Sequence, residues 1–294
     1  MIKMKFLLAC LLMGLVASAQ YTNIPDINFE KALIALNIDT GEPNGKVLTS
    51  NITALKTLIV DESFISNLAG IEDFTALEKL DCSSNELSVL DVSKNTELKK
   101  LYCGKNQLTS LDVSKNINLI NIVCQHNKFK TLDVSKNAEL SVLNCGGNEL
   151  IALDLSKNSK LTSLLCDFNK LTVLDFSNNK LLDYVECSWN KLKTLDVSKN
   201  VQLSLLHCDV NELEVLDLSG NKALIELLCF SNKLVILNLK NGNNTILYEP
   251  KIDDNPNLRC IEVDDKAYSD SNWSRRKDDT AVFATDCSKI NLKK

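Results

Sequence analysis

The chain has 294 residues, of which 45% are hydrophobic but only 5% aromatic, with 9 glycines and 4 prolines. Its apolar content is therefore aliphatic, mostly leucine, and is ample for a large core. Lysine and arginine number 33 against 38 acidic residues, a net charge of −5 with the charges scattered. This balance argues against binding to a phosphate backbone, so we expect no nucleic-acid partner.

The first 19 residues have the features of an export signal. Lys3 and Lys5 form a basic end, and residues 6–16 form an apolar run that is too short to span a bilayer. Small residues precede Gln20, as at a cleavage site. We therefore predict a signal peptide at 1–19 and no membrane-spanning segment elsewhere. The mature chain is expected outside the cell or on its surface, with the periplasm as the alternative.

Residues 20–54 contain one segment with a helical pattern. Asp26 is suited to the N-cap position, and Phe29, Leu33 and Leu36 recur at helical spacing on one face. We predict that this helix covers the first coil of the repeats that follow.

A repeat with a period of 21 residues occupies most of the chain. Its unit reads Leu77-x-x-Leu80-x-Cys82-x-x-Asn85-x-Leu87, and it occurs eight times. The repeated cysteines are Cys82, Cys103, Cys124, Cys145, Cys166, Cys187, Cys208 and Cys229. The asparagines that follow them are Asn85, Asn106, Asn127, Asn148, Asn169, Asn190, Asn211 and Asn232.

The second half of each unit has a related form with an Asp-x-Ser step. The first example runs Leu90-Asp91-Val92-Ser93 and ends at Asn95. We predict that each aspartate accepts the amides of the following turn. A calcium ion held by the paired Asp and Ser oxygens is the alternative. The aspartates are Asp91, Asp112, Asp133, Asp154, Asp175, Asp196 and Asp217.

This pattern resembles the bacterial leucine-rich repeat over residues 55–244. Residues 55–76 form a 22-residue unit similar to an internalin-type repeat, and the later units resemble those of secreted proteins of Gram-negative bacteria. The resemblance implies a right-handed coil with a parallel sheet on its concave side. We therefore expect an α/β horseshoe-type leucine-rich-repeat solenoid that is β-dominated, with little helix. The flanks, 20–54 and 245–294, resemble an N-terminal helical cap and a small C-terminal cap.

The length of the repeat supports the same architecture on physical grounds. Twenty-one residues suit a short strand, a turn, an extended second side and another turn. Alternate strand residues face opposite ways, so Leu80 and Cys82 are expected inside while Lys79 and Asp81 face out. A single coil cannot bury its apolar side alone, but stacked coils can. The asparagines are expected to pair with turn backbone groups inside the coil.

The cysteines fall into two groups. The eight repeated cysteines are predicted to be buried free thiols, because in-register strands hold their side chains parallel rather than converging. Their spacing matches no zinc pattern, and we expect neither a metal nor a cofactor. Cys260 and Cys287 lie in the C-terminal cap, near predicted strands at 260–263 and 281–287. We predict a disulfide between them that stabilises the cap by roughly 3 kcal/mol.

No constellation in the sequence indicates catalysis. The only histidines, His126 and His207, lie four units apart, which separates their strands by about 19 Å. The sequence has no phosphate loop, His-Glu zinc motif or nucleophile elbow. Because an active site needs one singular arrangement and the carboxylates here recur in every unit, we predict that the chain is not an enzyme.

Variable outward positions are where a partner would bind. We expect four columns, each formed by the residues at one position of successive units, to lie along the concave strands; they start at Lys79, Asp81, Ser83 and Ser84. They hold a cluster of exposed aromatic and charged residues, which is typical of interaction surfaces. The predicted partner-binding residues are Tyr102, His126, Asp167, Phe168, Tyr184, Glu186, Trp189, His207, Asp209 and Phe230.

Three classes of function remain open from the sequence. The leading prediction is a protein-binding scaffold outside the cytoplasm, with a role in adhesion or host contact or as an adaptor. A glycan-binding module is the first alternative, because Trp, Tyr and Asp on a concave sheet can stack on and bind sugars. A structural envelope component is the second.

Overall fold

A computed structural model describes residues 20–289, so the predicted signal peptide lies outside the described part. These residues form a solenoid of about 11 turns built from stacked coils, with parallel strands and little helix. The fold class expected from the sequence is therefore confirmed.

The N-terminal segment combines a short sheet with two helices. Strand β1 (Tyr21–Asn23) pairs antiparallel with β2 (Lys46–Leu48). Helix α1 (Ile27–Ala35) lies between them in the chain, and α2 (Thr49–Ile52) follows β2. Helix α1 is the one expected from the sequence, whereas the strand pair was not predicted.

Asp26 fixes helix α1 to the first coil. One carboxylate oxygen accepts the Phe29 amide at 3.0 Å, which caps the helix. The other accepts the amide and the hydroxyl of Ser66, each at 2.8 Å. Burial alone would raise the pKa of Asp26, but these hydrogen bonds hold it below its usual value. Phe29 stacks on Phe74 of the first coil, with ring centroids 6.2 Å apart, so the helix covers the apolar end of the stack.

The main sheet contains nine parallel strands, each of three residues. Neighbouring strands pair in register, so equivalent residues of successive coils stand side by side, about 4.8 Å apart. In chain order the strands of the repeats are β3 (Thr57–Ile59), β4 (Lys79–Asp81), β5 (Lys100–Tyr102), β6 (Asn121–Val123), β7 (Val142–Asn144), β8 (Ser163–Leu165), β9 (Tyr184–Glu186), β10 (Leu205–His207), β11 (Val215–Asp217), β12 (Glu226–Leu228) and β13 (Ile236–Asn238); all but β11 and β13 belong to this sheet.

The interior of each 21-residue coil is mostly aliphatic and contains one thiol, and Phe129 and Phe176 are the aromatic residues buried among these coils. Leu80 and Cys82 are fully buried, as their strand positions predict. All eight repeated cysteines are free and buried, which agrees with the prediction of an unbridged ladder. Burial raises the pKa of Cys103 to about 12, and the nearby charge of Asp81 adds to the effect.

The asparagine that follows each ladder cysteine joins two coils. In Asn148, the amide oxygen accepts the Phe129 amide of the preceding coil at 3.1 Å. Its amide nitrogen donates to the carbonyls of Cys124 in that coil (3.2 Å) and Cys145 in its own (3.0 Å). One side chain therefore satisfies backbone groups in both coils. The others that bridge coils in this way are Asn85, Asn106, Asn127, Asn169, Asn190, Asn211 and Asn232.

A second asparagine column lines the opposite side of the coils. Asn137 donates to the carbonyls of Val113 (3.2 Å) and Asn116 (2.9 Å) in the preceding coil. Its amide oxygen is buried and has no hydrogen-bond partner within residues 20–289. These asparagines therefore hold neighbouring coils together through their donors alone.

The aspartate column caps the turns of the second side. The carboxylate of Asp133 accepts the Ser135 amide at 2.8 Å, and this bond, with the Ser135 hydroxyl, lowers the pKa of Asp133. The predicted turn hydrogen bonds are confirmed at all seven positions. The others are Asp91, Asp112, Asp154, Asp175, Asp196 and Asp217, each bonded to the amide two residues later.

Stacking continues on the second side beyond residue 244. Strands β11 and β13 are joined there by β14 (Cys260–Glu262) and β15 (Val282–Ala284) in a parallel sheet of four strands. Asn255 accepts the Leu234 amide at 3.1 Å and donates to the Cys229 carbonyl at 3.1 Å, as the ladder asparagines do. The domain boundary at 244 marks the end of the regular period and stays a prediction.

The C-terminal segment is held by a disulfide and a helix. Cys260 in β14 is bonded to Cys287, which follows strand β15 in the chain, and their Cα atoms lie 5.9 Å apart. Helix α3 (Lys266–Trp273) places Trp273 in the interior, where its ring centroid lies 6.1 Å from that of Phe283. Together they cover the last apolar layer of the stack.

The buried ladder leads to a test with thiol reagents. In protein beginning at Gln20, we expect no thiol labelling of the native state at pH 8, because labelling needs an accessible thiolate and burial raises the pKa of these groups. Eight thiols should react once a denaturant is added. Rapid labelling of the native protein, measured by mass spectrometry, would contradict the inward ladder.

The asparagine columns predict a graded loss of stability. Asn148→Ala should lower the free energy of unfolding by about 3 kcal/mol, because it leaves several buried backbone groups unpaired. Asn137→Ala should lower it by about 1–2 kcal/mol, since only donors are lost. The exposed Asn118→Ala is the control and should change little. Chemical denaturation checks this order, and equal losses at Asn148 and Asn118 would refute it.

Candidate partner-binding site

The structure places the predicted partner-binding residues on two adjoining surfaces rather than one. Tyr102, Tyr184, Glu186 and His207 lie in the strands of the main sheet. The strands end at the column that starts with Asp81, so the columns through Ser83 and Ser84 lie in the turn that follows. The expectation that all four columns follow the strand was therefore wrong. The residues placed in the turn instead are His126, Asp167, Phe168, Trp189, Asp209 and Phe230.

The column through Ser84 requires a left-handed backbone in every coil. Phe168 has φ of 49° and Trp189 has φ of 55°, values that favour glycine and asparagine and strain bulky residues. Both side chains are 51% exposed. Their rings stack with centroids 5.1 Å apart at an interplanar angle of 13°. The coil requires a left-handed backbone at these positions but no particular side chain. The requirements of the fold therefore do not explain why two exposed aromatic rings occur there.

Two glycines make room for the neighbours of this pair. A Cβ atom on Gly147 would lie 2.4 Å from Nδ1 of His126, and one on Gly146 would lie 2.4 Å from the carboxylate of Asp167. The side chains of His126 and Asp167, which come from the coils on either side, therefore pack against the backbone of the coil that contains Gly146 and Gly147. Any side chain at either glycine would displace them.

The strands contribute a hydrogen-bonded group of polar residues. The Tyr184 hydroxyl donates to Glu186 at 2.6 Å. The His207 ring lies between two carboxylates, with Nδ1 3.3 Å from Glu186 and Nε2 2.9 Å from Glu226. Burial, and then the hydrogen bond to Glu186, raise the pKa of Tyr184, so its hydroxyl stays protonated at neutral pH. The sequence did not indicate Glu226, because its contact with His207 joins residues 19 positions apart and depends on the pairing of neighbouring coils.

The turn column adds two carboxylates that are largely removed from water. Asp209 is only 5% exposed and accepts the Ser188 hydroxyl at 2.6 Å. Asp167 is partly buried, and burial raises its pKa, with the charges of Glu186 and Asp209 adding to the shift and His126 opposing it. The sequence indicated Asp167 and Asp209 but not Ser188, whose role depends on the next coil.

Tyr102 and Phe230 stand at the two ends of this region. The ammonium group of Lys79 lies 5.2 Å from the centroid of the Tyr102 ring. Phe230 lines an open depression of about 370 Å³ together with Lys251, Arg275 and other residues of the C-terminal segment. The predicted residues therefore do not form a single contiguous cluster, and the densest group spans the coils of Phe168, Trp189 and Asp209.

The same region offers no evident metal-binding arrangement. Within residues 20–289, no group of three or more His, Cys, Asp or Glu side chains is arranged to hold a metal ion. The contacts in this region are hydrogen bonds, a stacked pair of rings and carboxylates.

The raised pKa of Asp167 predicts how its replacement changes stability. Because the native state binds this proton more tightly than the unfolded chain does, the charged carboxylate destabilises the fold as pH rises. Asp167→Asn should therefore raise the melting temperature at pH 7 by about 2 °C, a small effect because the group is partly solvated. The gain should shrink as pH falls toward the pKa of an unperturbed aspartate and vanish by about pH 3, where the group is largely protonated in both states.

Melting curves between pH 3 and pH 8 check this expectation. Asp183→Asn removes an exposed carboxylate from the same side and is the matched control. A drop in melting temperature for Asp167→Asn at pH 7 would show that the carboxylate stabilises the native coil.

Comparisons with solved structures place the fold among leucine-rich-repeat proteins. The functional domain of InlJ from Listeria monocytogenes, described as including a cysteine ladder, is 28% identical with a TM-score of 0.50, and the match covers 84% of this chain and 68% of that one. A leucine-rich-repeat protein of Leptospira interrogans is 21% identical with a TM-score of 0.63, and the match covers 74% of this chain and 63% of that one. Internalin C2 of Listeria monocytogenes is 19% identical with a TM-score of 0.57, covering 84% and 98%.

One similar structure contains a bound ligand. The ectodomain of the plant receptor kinase GASSHO1/SCHENGEN3 of Arabidopsis thaliana was solved in complex with CASPARIAN STRIP INTEGRITY FACTOR 2. It is 23% identical with a TM-score of 0.60, and the match covers 74% of this chain and 28% of that one. No protein-family model and no curated protein matches the sequence. None of the helices within the described residues has the length and apolarity needed to cross a membrane.

The stacked parallel coils, the 21-residue period and these structural neighbours agree with one another. The chain therefore has a leucine-rich-repeat solenoid fold that is similar to that of the internalins.

Proposed function

We propose that the chain is a protein-binding scaffold that acts outside the cytoplasm and uses the concave sheet with the turn beside it. The observation that carries the proposal is the exposed, stacked pair Phe168 and Trp189 at backbone positions that disfavour both residues. Strained residues that the fold does not require are commonly retained for function. Exposed aromatic groups of this kind are typical anchors of protein interfaces.

The fold supports binding rather than catalysis. Its structural neighbours are internalins and related leucine-rich-repeat proteins, which are in general non-enzymatic binding proteins. The ladder thiols are buried away from the concave surface, so they offer no nucleophile there. Adhesion, host contact and an adaptor role are the forms of binding that we propose.

Two features support a location outside the cytoplasm. The Cys260–Cys287 disulfide is of the kind that persists in oxidising compartments. The sequence also begins with the predicted export signal at 1–19, which lies outside the described residues. The eight ladder cysteines are compatible with such a compartment, because burial keeps them from oxidants.

The proposal is tested by comparing the binding and the stability of one variant. Immobilised protein serves as bait for surface and secreted proteins, and the dissociation constant is then measured for each protein captured. Trp189→Ala should weaken binding about 30-fold, because truncating an aromatic hot spot costs on the order of 2 kcal/mol or more. The melting temperature should change little, since the ring is half exposed.

Two further variants make the result specific. Trp189→Asn suits the left-handed backbone better, so it should lose binding and keep full stability. Lys157→Ala, an exposed residue of the opposite side, should change neither. If Trp189→Ala binds normally while Lys157→Ala does not, the concave face is not the functional one. Capture of glycans alone on a glycan array would favour the alternative class.

A further inference from the structure

The concave side carries a group of carboxylates without lysine or arginine partners. Several glutamates elsewhere are paired with lysines from a neighbouring coil, as in Glu149 with Lys170 at 2.9 Å and Glu212 with Lys233 at 2.8 Å. On the concave side, Asp167, Glu186 and Asp209 lie in three successive coils. In the described part of the chain, none of these three forms a salt bridge with a lysine or an arginine. The unbalanced charge is negative and local.

These carboxylates have also lost much of their hydration. Asp209 is 5% exposed and receives one side-chain hydrogen bond, from Ser188. Asp167 is partly buried, and its pKa is raised by burial and then by the charges of Glu186 and Asp209. A desolvated carboxylate without a cation is unfavourable. A bound cation would relieve this repulsion, while a neutral ligand would not.

The exposed aromatic pair lies directly beside the carboxylates. Phe168 follows Asp167 in the chain, and Trp189 follows Ser188, which binds Asp209. Cations are attracted to aromatic faces, most strongly to that of tryptophan, and arginine also stacks on such rings. Ring faces and carboxylates without a lysine or arginine partner therefore favour the same kind of ligand group.

The opposite end of the concave side has no such excess of negative charge. Lys79, Lys100 and Lys105 lie there among Asp61, Glu62 and Asp81, so the charges of that end balance. About 19 Å separates the coil of Lys100 from that of Trp189, four coils further along. A cationic segment is therefore attracted more strongly to the end of the face that carries Asp167, Glu186 and Asp209.

We propose that the partner is a polypeptide that places an arginine or lysine side chain on the acidic–aromatic patch formed by Asp167, Phe168, Glu186, Trp189 and Asp209. This inference rests on the proposed function and names the chemistry of the contact. The cationic group lies on the face of the ring pair and is paired with the carboxylates, and arginine is the better fit because its planar group both stacks and binds carboxylates.

The test uses two blocked octapeptides, acetyl-(Gly-Arg)4-amide and its counterpart with citrulline, a neutral group of the same shape. Trp189 is 51% exposed and Trp273 is 1% exposed, so the change in tryptophan fluorescence reports on the patch. Tryptophan is present at only these two positions in the chain. We expect the arginine peptide to bind at least about tenfold more tightly than the citrulline peptide, and the difference to shrink with added salt.

Two double variants, each of which removes two negative charges, test whether the patch residues bind the arginine peptide. The double variant Glu186→Gln, Asp209→Asn should weaken binding of the arginine peptide about tenfold or more. The matched control, Glu139→Gln with Glu149→Gln, removes the same charge from exposed salt bridges elsewhere and should leave binding unchanged. Because the patch variants remove repelling charges, they should remain folded, which melting curves check.

Several results would overturn the inference. They are equal affinity for the citrulline peptide, equal weakening by the control variant, and no saturable binding of the arginine peptide. A different result would refute the proposed function: the Trp189→Ala variant would still bind every captured protein with normal affinity. If captured partners are lost with Trp189→Ala but kept with Glu186→Gln, Asp209→Asn, the concave face binds proteins without a cationic anchor and only this inference fails.

Discussion

The structure depends on the ability of one asparagine side chain to satisfy two coils at once. Its amide oxygen accepts a backbone amide of the preceding coil, and its amide nitrogen donates to carbonyls of both coils, as at Asn148. A coil without helix or long strands has many turn amides and carbonyls that would otherwise be buried unpaired. Because the asparagines pair them, a narrow and mostly aliphatic interior is sufficient for the stack.

The same constraint explains how much of the fold was predictable. Ladder positions recur because each coil meets the same requirement, so the spacing of Cys82 and Asn85 identified the inward residues and the register. Terminal segments meet requirements of their own and show no period. The pairing of Tyr21–Asn23 with Lys46–Leu48 and the helix Lys266–Trp273 were missed for that reason. Asn255 carried a detectable signal, since Ile252-x-x-Asn255 keeps the spacing of Cys-x-x-Asn.

The candidate site was predictable as a set of residues but not as a geometry. Exposed aromatic residues in variable columns could be found from the period alone. The sequence did not reveal that the strand ends before Phe168 and Trp189. A left-handed backbone is normally indicated by glycine or asparagine, and neither occurs at these two positions. Gly147 is the one glycine in that column, and it is too isolated to indicate the turn. The Ser188–Asp209 bond joins residues 21 positions apart, so it emerges only from the stacking.

Coil length is the feature with the widest consequence. The asparagine bonds reach a fixed distance back along the chain, and coils of other lengths occur only at the ends, in residues 55–76 and between Asn232 and Asn255. An interior insertion of one residue would break these bonds, whereas loss or gain of a whole coil would preserve all of them. The length of the solenoid can therefore change only by whole coils, in steps of about 4.8 Å. The number of coils between two positions of the concave face, such as Lys100 and Trp189, therefore fixes the distance between any two contacts made there.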